Sequence, residues 1–153
     1  MTPPSALVPL THNLPTATRF VEPCAGDGAI SVGLGLYGHT CVEAYDLQPR
    51  APGILPLEAT CVPVAGKTII TNPPFRWNLL QPLLDHWVGS CEAWLLLPWD
   101  MTCNARMSPY TPYIRRIQPI GRVSWMDNGK GGFENYGWFQ FDILPMGLIL
   151  PRR

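Results

Sequence analysis

The sequence predicts an α/β domain with a mostly parallel central sheet, helices on both faces and an antiparallel hairpin at the C-terminal end. Strand-like and helix-like segments alternate through the first two thirds of the chain, which is the order of parallel β-α-β units. Residues 91–97 form a continuous apolar run, typical of a strand buried on both faces. With 153 residues, 46% of them hydrophobic, the chain is expected to form one domain over residues 1–153.

The first half of the chain gives the elements that begin such a fold. A short strand over residues 18–22 leads into a glycine-containing turn at 23–28 and then a helix-like run at 29–37. Gly38 is a plausible stop for that helix. Residues 40–46 are predicted as a second strand, and a proline-rich loop with a short apolar segment at 54–57 follows.

The second half continues the alternation. Leucines and a tryptophan recur at helical spacing over residues 77–88, and Pro82 inside this run is expected to kink or split the helix. A short helix is expected within residues 104–117. The predicted strands of this half are 67–71, 91–97, 121–126 and 137–143, the last two forming the antiparallel hairpin.

Composition excludes several classes of protein. Only 14% of residues are charged and the formal net charge is zero, which disfavours a free-standing, strongly electrostatic nucleic-acid binder. The sequence has no apolar run long enough for a transmembrane helix and no secretory signal pattern. The five cysteines include no C-x-x-C pair, so reduced thiols in a cytoplasmic protein are expected, with no metal site.

The turn after the first predicted strand is the first candidate site, spanning Glu22, Pro23, Cys24, Ala25, Gly26, Asp27 and Gly28. It lies where ligands bind in open α/β sheets, beyond the carboxyl end of a strand. Glycines allow close approach of the backbone to a ligand, and the Glu22 carboxylate suits a cation or a hydroxyl. Ser31 stands where a dinucleotide motif needs its third glycine. A pyrophosphate ligand is therefore less favoured than one with a positive centre, and an ordinary strand-helix turn is the alternative.

A second glycine pattern follows inside the helix-like run. Gly33, Gly35 and Gly38 match G-x-G-x-x-G literally, but they do not follow a strand, so the required context is missing. Gly33 and Gly35 are interpreted as small residues that permit close helix packing.

Asp46 ends the second predicted strand, 24 residues after Glu22. An acidic side chain in this position can accept two hydrogen bonds from ribose hydroxyls. The alternative is an aspartate that only starts the loop before Pro49. Its position relative to the glycine turn favours the functional interpretation.

The third candidate site is Asn72, Pro73, Pro74 and Phe75, directly after a β-branched strand. Two consecutive prolines end a strand and fix the backbone. The Asn72 amide and the Pro73 carbonyl are then acceptors suited to an exocyclic NH2 group, and Phe75 can stack on a planar ring. A purely structural turn is the alternative.

With these motifs, the sequence resembles the class I, Rossmann-like S-adenosylmethionine-dependent methyltransferases that modify amino nitrogens, above all the adenine-N6 DNA methyltransferases. The motifs occur in the same order as in that family. The segment with Thr2, Pro3 and Pro4 is similar to the one preceding the first strand in one subgroup. Residues 22–28 are similar to the cofactor motif, and residues 72–75 to the catalytic motif. Small phage-encoded enzymes are the nearest likeness in size.

The resemblance implies a Rossmann-like methyltransferase fold with S-adenosylmethionine as cofactor and DNA as the expected substrate. It implies catalytic roles for Asn72, Pro73, Pro74 and Phe75, with Phe75 stacked on a target base taken out of the duplex. Asp46 would hold the ribose and Leu47 the adenine. The implied cofactor-binding residues are Thr2, Pro3, Glu22, Pro23, Cys24, Ala25, Gly26, Asp27, Gly28, Asp46, Leu47, Glu58, Ala59 and Asn72.

Substrate contacts are expected from a locally basic segment and from aromatic residues. Residues 103–126 hold four arginines and no acidic residue. These arginines are candidates for phosphate contacts or for a solvated face. Trp77 is the best candidate for base stacking. The candidate residues are Phe75, Trp77, Arg106, Arg115, Arg116 and Arg122, with Trp99, Trp125 and Trp138 as further aromatic candidates or core residues.

The sequence departs from the family in lacking a separate target-recognition domain. Recognition is then expected from loops of the core, from a homodimer partner or from an accessory subunit, in a bacterial cell that carries a phage or prophage. Similar Asn-Pro-Pro-aromatic motifs serve enzymes that methylate RNA bases or protein glutamine, so these substrates stay open. A catalytically silent cofactor- or protein-binding module is the alternative from another class.

Overall fold

Seven strands form one sheet in the computed structural model, which describes residues 2–123, 132 and 134–145. The strand order is β3-β2-β1-β4-β5-β7-β6. Neighbours from β3 to β5 are parallel, whereas β7 is antiparallel to both β5 and β6. The strands are β1 Arg19–Glu22, β2 Thr40–Asp46, β3 Leu55–Pro56, β4 Thr68–Thr71, β5 Glu92–Pro98, β6 Ile114–Arg122 and β7 Asn135–Phe141. The predicted, mostly parallel sheet with an antiparallel hairpin is confirmed.

Strand β5 lies at the centre of the core. Ala93, Leu95 and Leu97 belong to the apolar cluster on one face of the sheet. Trp94 and Leu96 belong to the cluster on the other face. Because strand side chains alternate between faces, a continuous apolar run is what a strand covered on both sides requires. The predicted central strand is therefore confirmed, shifted by one residue.

Helices cover both faces, as expected. Helices α1 (Pro4–Thr11) and α2 (Ala29–Gly35) pack on the face of Trp94 and Leu96, and α3 (Trp77–Trp87) packs on the opposite face. Helix α1 was not predicted from the sequence. It is fixed to the sheet by the buried indole N–H of Trp138, which donates to the Ala6 carbonyl over 2.7 Å.

The expected split of α3 at Pro82 does not occur. The helix runs unbroken from Trp77 to Trp87 with Pro82 in its interior. A proline removes the hydrogen bond to the carbonyl four residues earlier, here that of Asn78, and its ring crowds that carbonyl. Four buried side chains oppose this loss by anchoring the helix to the sheet, namely Leu80, Leu83, Leu84 and Trp87. Pro82 itself is exposed.

The C-terminal part of the sheet differs most from the sequence prediction. The strand expected at 121–126 instead begins at Ile114 and ends at Arg122, while residues 124–126 lie outside the described part. The register of β6 on β7 shifts between Pro119 and Gly121. The same two residues interrupt the alternation of apolar and polar residues that would have identified the strand in the sequence. An edge strand tolerates such a proline. The helix expected in 104–117 appears as two short 3-10 turns, Ala105–Met107 and Thr111–Tyr113.

No helix in the described part of the chain is both long enough and apolar enough to cross a membrane.

The close approach of α1 to α2 depends on Gly33. A Cβ at this position would lie 2.2 Å from the Leu7 Cδ1 atom, whereas a Cβ on Gly35 would meet nothing within 4 Å. We expect Gly33→Ala to lower the free energy of unfolding by about 1–3 kcal/mol, because buried Leu7 must shift to relieve the overlap. Gly35→Ala is the control and should be neutral or slightly stabilising, since alanine favours the helix. Urea denaturation measures both, and equal stability of the two variants would contradict the packing role.

Candidate active site

A cavity of about 490 Å³ opens where β1, β2 and β4 end. Since parallel neighbours present their carboxyl ends at one edge, the residues that follow these three strands converge there. The predicted site residues that line it are Thr2, Glu22, Pro23, Cys24, Ala25, Gly26, Asp27, Asp46, Leu47, Glu58, Ala59, Asn72 and Pro74. The fold thus brings together residues from all three candidate motifs and from the N-terminal segment.

The glycine turn is held against the end of β2 by hydrogen bonds. The Ala25 N–H donates to the Tyr45 carbonyl over 2.8 Å. The Gly26 N–H donates to the Asp46 Oδ2 atom over 2.7 Å. Gly26 has φ +55° and Gly28 has φ +78°, a region that other residues rarely adopt. Of these two glycines, Gly26 borders the cavity and Gly28 does not.

Asp46 combines a structural and a ligand-binding position. Its Oδ2 atom accepts from Gly26, and its Oδ1 atom accepts from the Gln48 N–H over 2.8 Å. A carboxylate has about four acceptor sites, so two protein bonds leave it able to accept further hydrogen bonds. Asp46 is half-buried and lines the cavity. It is thus arranged to hold a ligand that carries hydroxyl groups.

Glu22 is more deeply buried than the sequence indicated, with 1% of its surface exposed. Its Oε2 atom accepts from the Ser31 backbone N–H over 3.1 Å and from the Ser31 hydroxyl. Burial raises the pKa of Glu22 to about 8, with Asp27 and Asp46 adding to the rise and the Ser31 hydrogen bonds opposing it. Glu22 is therefore mostly neutral at pH 7, and Ser31 ties it to the first turn of α2.

Asn72 is held from one side only. Its Nδ2 donates to the Thr2 hydroxyl oxygen over 3.2 Å. Its Oδ1 atom is buried and has no hydrogen-bond partner among the described residues. Buried polar atoms are nearly always paired, and an exception calls for an explanation. Of the prolines that follow, Pro73 is buried and Pro74 is exposed on the cavity wall.

Arg50 is a lining residue that the sequence analysis missed. Its backbone N–H donates to the Gly26 carbonyl over 2.9 Å. Its guanidinium lies across the same glycine, with Nη2 2.8 Å from where a Gly26 Cβ would be. A side chain at Gly26 would collide with this cation. Arg50 sits in an exposed loop, and no motif marked it in the sequence.

The opposite wall of the cavity was also missed, because it is built from α3. The helical periodicity placed Leu79 and Leu83 on the predicted apolar face of α3 but gave no sign that these two residues border a ligand site. The unpredicted lining residues are Asn78, Leu79, Pro82 and Leu83 of α3, with Ala29, Ile30, Arg50 and Thr60 from elsewhere. Leu79 is 48% exposed and Leu47, in the loop after β2, is 72% exposed. These two leucines offer apolar surface to a flat ring.

Several predicted site residues do not line the cavity. The Phe75 ring packs against the Tyr136 ring, with centroids 5.6 Å apart. The Arg106 guanidinium lies 5.7 Å from the centre of the Trp77 ring, next to the start of α3. The predicted catalytic, cofactor-binding and arginine residues outside the lining are Pro3, Gly28, Pro73, Phe75, Trp77, Arg106, Arg115, Arg116 and Arg122. Their proposed substrate contacts stay predictions.

Two arginines of β6, Arg115 and Arg116, contact other residues of the chain. Arg115 pairs with Asp142 over 3.0 Å. Arg116 donates to the Asn13 Oδ1 atom over 2.6 Å. Trp138 is fully buried, which identifies it as a core residue, and Trp125 lies outside the described residues. In the described part of the chain, no cluster of histidine, cysteine, aspartate and glutamate suits a metal ion.

Comparison with known proteins shows the fold. No protein-family model matches the chain, and no curated protein matches it either. A solved structure from Thermoplasma acidophilum has a TM-score of 0.58 at 15% identity, over 83% of this chain and 80% of that one. The 23S rRNA methyltransferase ErmE has a TM-score of 0.58 at 13% identity, over 93% and 68%. An S-adenosylmethionine-dependent O-methyltransferase of Thermotoga maritima has a TM-score of 0.52 at 11% identity, over 92% and 64%. The predicted Rossmann-like methyltransferase fold is confirmed.

The buried Glu22 carboxyl predicts a pH dependence of stability. Its pKa is about 8 in the folded protein against 4.5 ordinarily, so between these values the folded state holds a proton that the unfolded state has lost. Stability is then fully present below about pH 4.5 and falls as the pH rises to 8. Urea midpoints at pH 5, 6.5 and 8 should fall for the wild type and stay flatter for Glu22→Gln.

Glu43→Gln is the matched control for this experiment. Glu43 is paired with Lys67 over 2.7 Å, and the hydrogen bond from Lys67 lowers its pKa. Its contribution is lost only at acidic pH, below the window tested. The control should keep the wild-type slope, and a Glu22→Gln protein with that same slope would refute the assignment.

Proposed function

We propose that the protein transfers a methyl group from S-adenosylmethionine to an exocyclic amino nitrogen, with adenine N6 in DNA as its target. One observation carries the proposal. A buried, unpartnered amide oxygen, on Asn72, belongs to a wall of the cavity that also contains the glycine turn and Asp46. The cavity thus supplies an acceptor for an amino group beside a surface suited to a nucleoside cofactor.

The residues present fit this cofactor. The turn at Gly26 borders the cavity without a side chain of its own, and the Arg50 guanidinium lies over this glycine. Asp46 has acceptor sites left for two ribose hydroxyls. Leu47 offers an exposed apolar side chain for the adenine ring. These contacts would use the part of the cavity between the ends of β1 and β2.

When bound, the cofactor supplies a methyl group activated on a sulfonium sulfur. The part of the chain is to orient the amino nitrogen and to strengthen it as a nucleophile. Hydrogen bonds from the target N–H groups to Asn72 Oδ1 and the Pro73 carbonyl would raise the electron density on that nitrogen. Positioning and fixed dipoles of this kind account for much of the catalysis in many enzymes.

The choice of adenine N6 in DNA as the target is the more specific part of the proposal. It rests on the resemblance of residues 72–75 to the catalytic motif of those enzymes. We further propose that residues 1–153 act as one catalytic domain in the cytoplasm of a phage-carrying cell. Zero net charge argues that nucleic acid is held weakly or with a second subunit's help. An RNA base or protein glutamine as acceptor would be a different outcome of the assay below.

Removing the Asn72 amide should stop the transfer step. We expect Asn72→Ala to reduce transfer of a labelled methyl group by roughly 100-fold or more, as loss of one transition-state hydrogen bond does elsewhere. Calorimetry should find cofactor binding largely unchanged. The substrates are separate DNA, RNA and protein pools, and Asn135→Ala, exposed at the start of β7, is the control. An Asn72→Ala protein as active as the wild type would overturn the mechanism.

Removing the Asp46 carboxylate should instead weaken cofactor binding. Hydrogen bonds to a charged group contribute about 1.5–3 kcal/mol, which predicts a Kd for S-adenosylmethionine raised roughly 10- to 100-fold in Asp46→Ala. Glu43→Gln, on the same strand but outside this cavity, is the control, and thermal unfolding checks that both variants fold. No cofactor binding by the wild-type protein would refute the proposed function and favour a silent module.

A further inference from the structure

Thr2 links the N-terminal segment to the candidate active site. Thr2 is buried, with 6% of the residue's surface exposed. Its hydroxyl oxygen accepts the Asn72 Nδ2–H over 3.2 Å, across a separation of 70 residues in the chain. Both residues line the same cavity. The resemblance to methyltransferases gave Thr2 a role toward the cofactor, but its observed contact is to another protein side chain.

The Thr2 hydroxyl can accept from the NH2 end of the Asn72 amide or donate to its oxygen end, and in this structure it accepts from the NH2 end. A carboxamide has an NH2 end and an oxygen end of nearly the same shape, and a half-turn of the group exchanges them. A target amino group is useful only to the oxygen end, because the NH2 end would present a second donor. With Nδ2 bonded to Thr2, the Oδ1 atom is the end left unpaired.

We infer that Thr2 is a positioning residue, whose hydroxyl holds the Asn72 amide at the cavity wall and accepts from Nδ2. The target amino group, itself a donor, selects the orientation with Oδ1 toward it, and in that orientation Thr2 gives the Nδ2 donor of Asn72 a partner. The catalytic effect of Thr2 rests on the proposed function, whereas its hydrogen bond to Asn72 is seen in the structure. Without the hydroxyl, neither end of the Asn72 side chain has a partner among the described residues, and the amide is free to turn. Thr2 would then matter to the transfer step and not to the affinity for the cofactor.

Thr2→Val tests this because valine keeps the shape and loses the hydroxyl. A hydrogen bond contributes about 0.5–1.5 kcal/mol net, so we expect kcat at saturating cofactor to fall roughly 3- to 10-fold with an unchanged Kd for S-adenosylmethionine. Thr2→Ser keeps the hydroxyl and should restore most of kcat. A raised Kd with unchanged kcat would overturn the inference and make Thr2 a cofactor contact only.

A double-mutant cycle with Asn72→Asp makes the test specific to orientation. A carboxylate presents an acceptor oxygen whichever way it is turned. Adding Thr2→Val should therefore cost much less in the Asn72→Asp protein than in the wild type. An equal loss of kcat in both backgrounds would show that Thr2 acts on the structure in general and would refute the positioning role.

A spectroscopic measurement tests the contact without any transfer activity. In protein labelled with 15N-asparagine, the Asn72 side-chain pair is assigned by its disappearance in Asn72→Asp. Thr2→Val should shift this pair and speed its exchange with water, whereas Thr2→Ser should leave it near the wild-type position. Unchanged Asn72 signals in Thr2→Val would overturn the inference. If the wild type binds no cofactor and methylates no pool, the proposed function fails, and these signals still decide the role of Thr2.

Discussion

The parallel pairing of β1 with both of its neighbours is the constraint on which the rest of the site depends. Because β2, β1 and β4 lie side by side in the same direction, Asp46, Glu22 and Asn72 follow or end strands at one edge of the sheet. No two of these residues are close in sequence, and no local element could bring them together. The hydrogen bond from Gly26 to Asp46 then fixes the glycine turn against β2, so the same carboxylate shapes the cavity and remains able to bind a ligand.

The parts of the fold that were predictable are those that the apolar pattern determines. The apolar run at residues 91–97 predicted a strand buried on both faces, and β5 is this strand, at the centre of the core. The strand ends at Glu22, Asp46 and Thr71 were also located, because glycine or proline follows each strand closely and stops it. The split predicted at Pro82 was wrong, because that prediction considered the proline alone and not the four buried side chains that hold α3 against the sheet. Strand β6 was misplaced because Pro119 and Gly121 disrupt its alternation.

The candidate site was predictable only where residue type and strand position coincide. Asp46 and Asn72 follow this pattern, so their place in the cavity could be foreseen. Arg50 does not, because an arginine in an exposed loop has the same sequence appearance whether it lies over a glycine turn or in solvent. The leucines of the cavity wall in α3 were equally hard to foresee, since helical periodicity placed Leu79 and Leu83 on one apolar face but does not distinguish residues that pack on the sheet from residues that border a cavity. Contacts between distant segments, such as that of Thr2 with Asn72, have no local signal at all.

The charges around the cavity limit where a nucleic acid could be held. Besides Glu22, which is mostly neutral at pH 7, its described lining contains three carboxylates, on Asp27, Asp46 and Glu58, against one guanidinium, on Arg50. Such a lining suits a ligand with a positive centre and opposes the approach of phosphates. Arg115 and Arg116 are engaged with other residues at the far edge of the sheet, whereas Arg106 lies over Trp77 at the start of α3, just after residues 72–75. On the proposed function, a nucleic-acid backbone would lie outside the cavity, near Trp77 and Arg106, with only the target base turned toward Asn72.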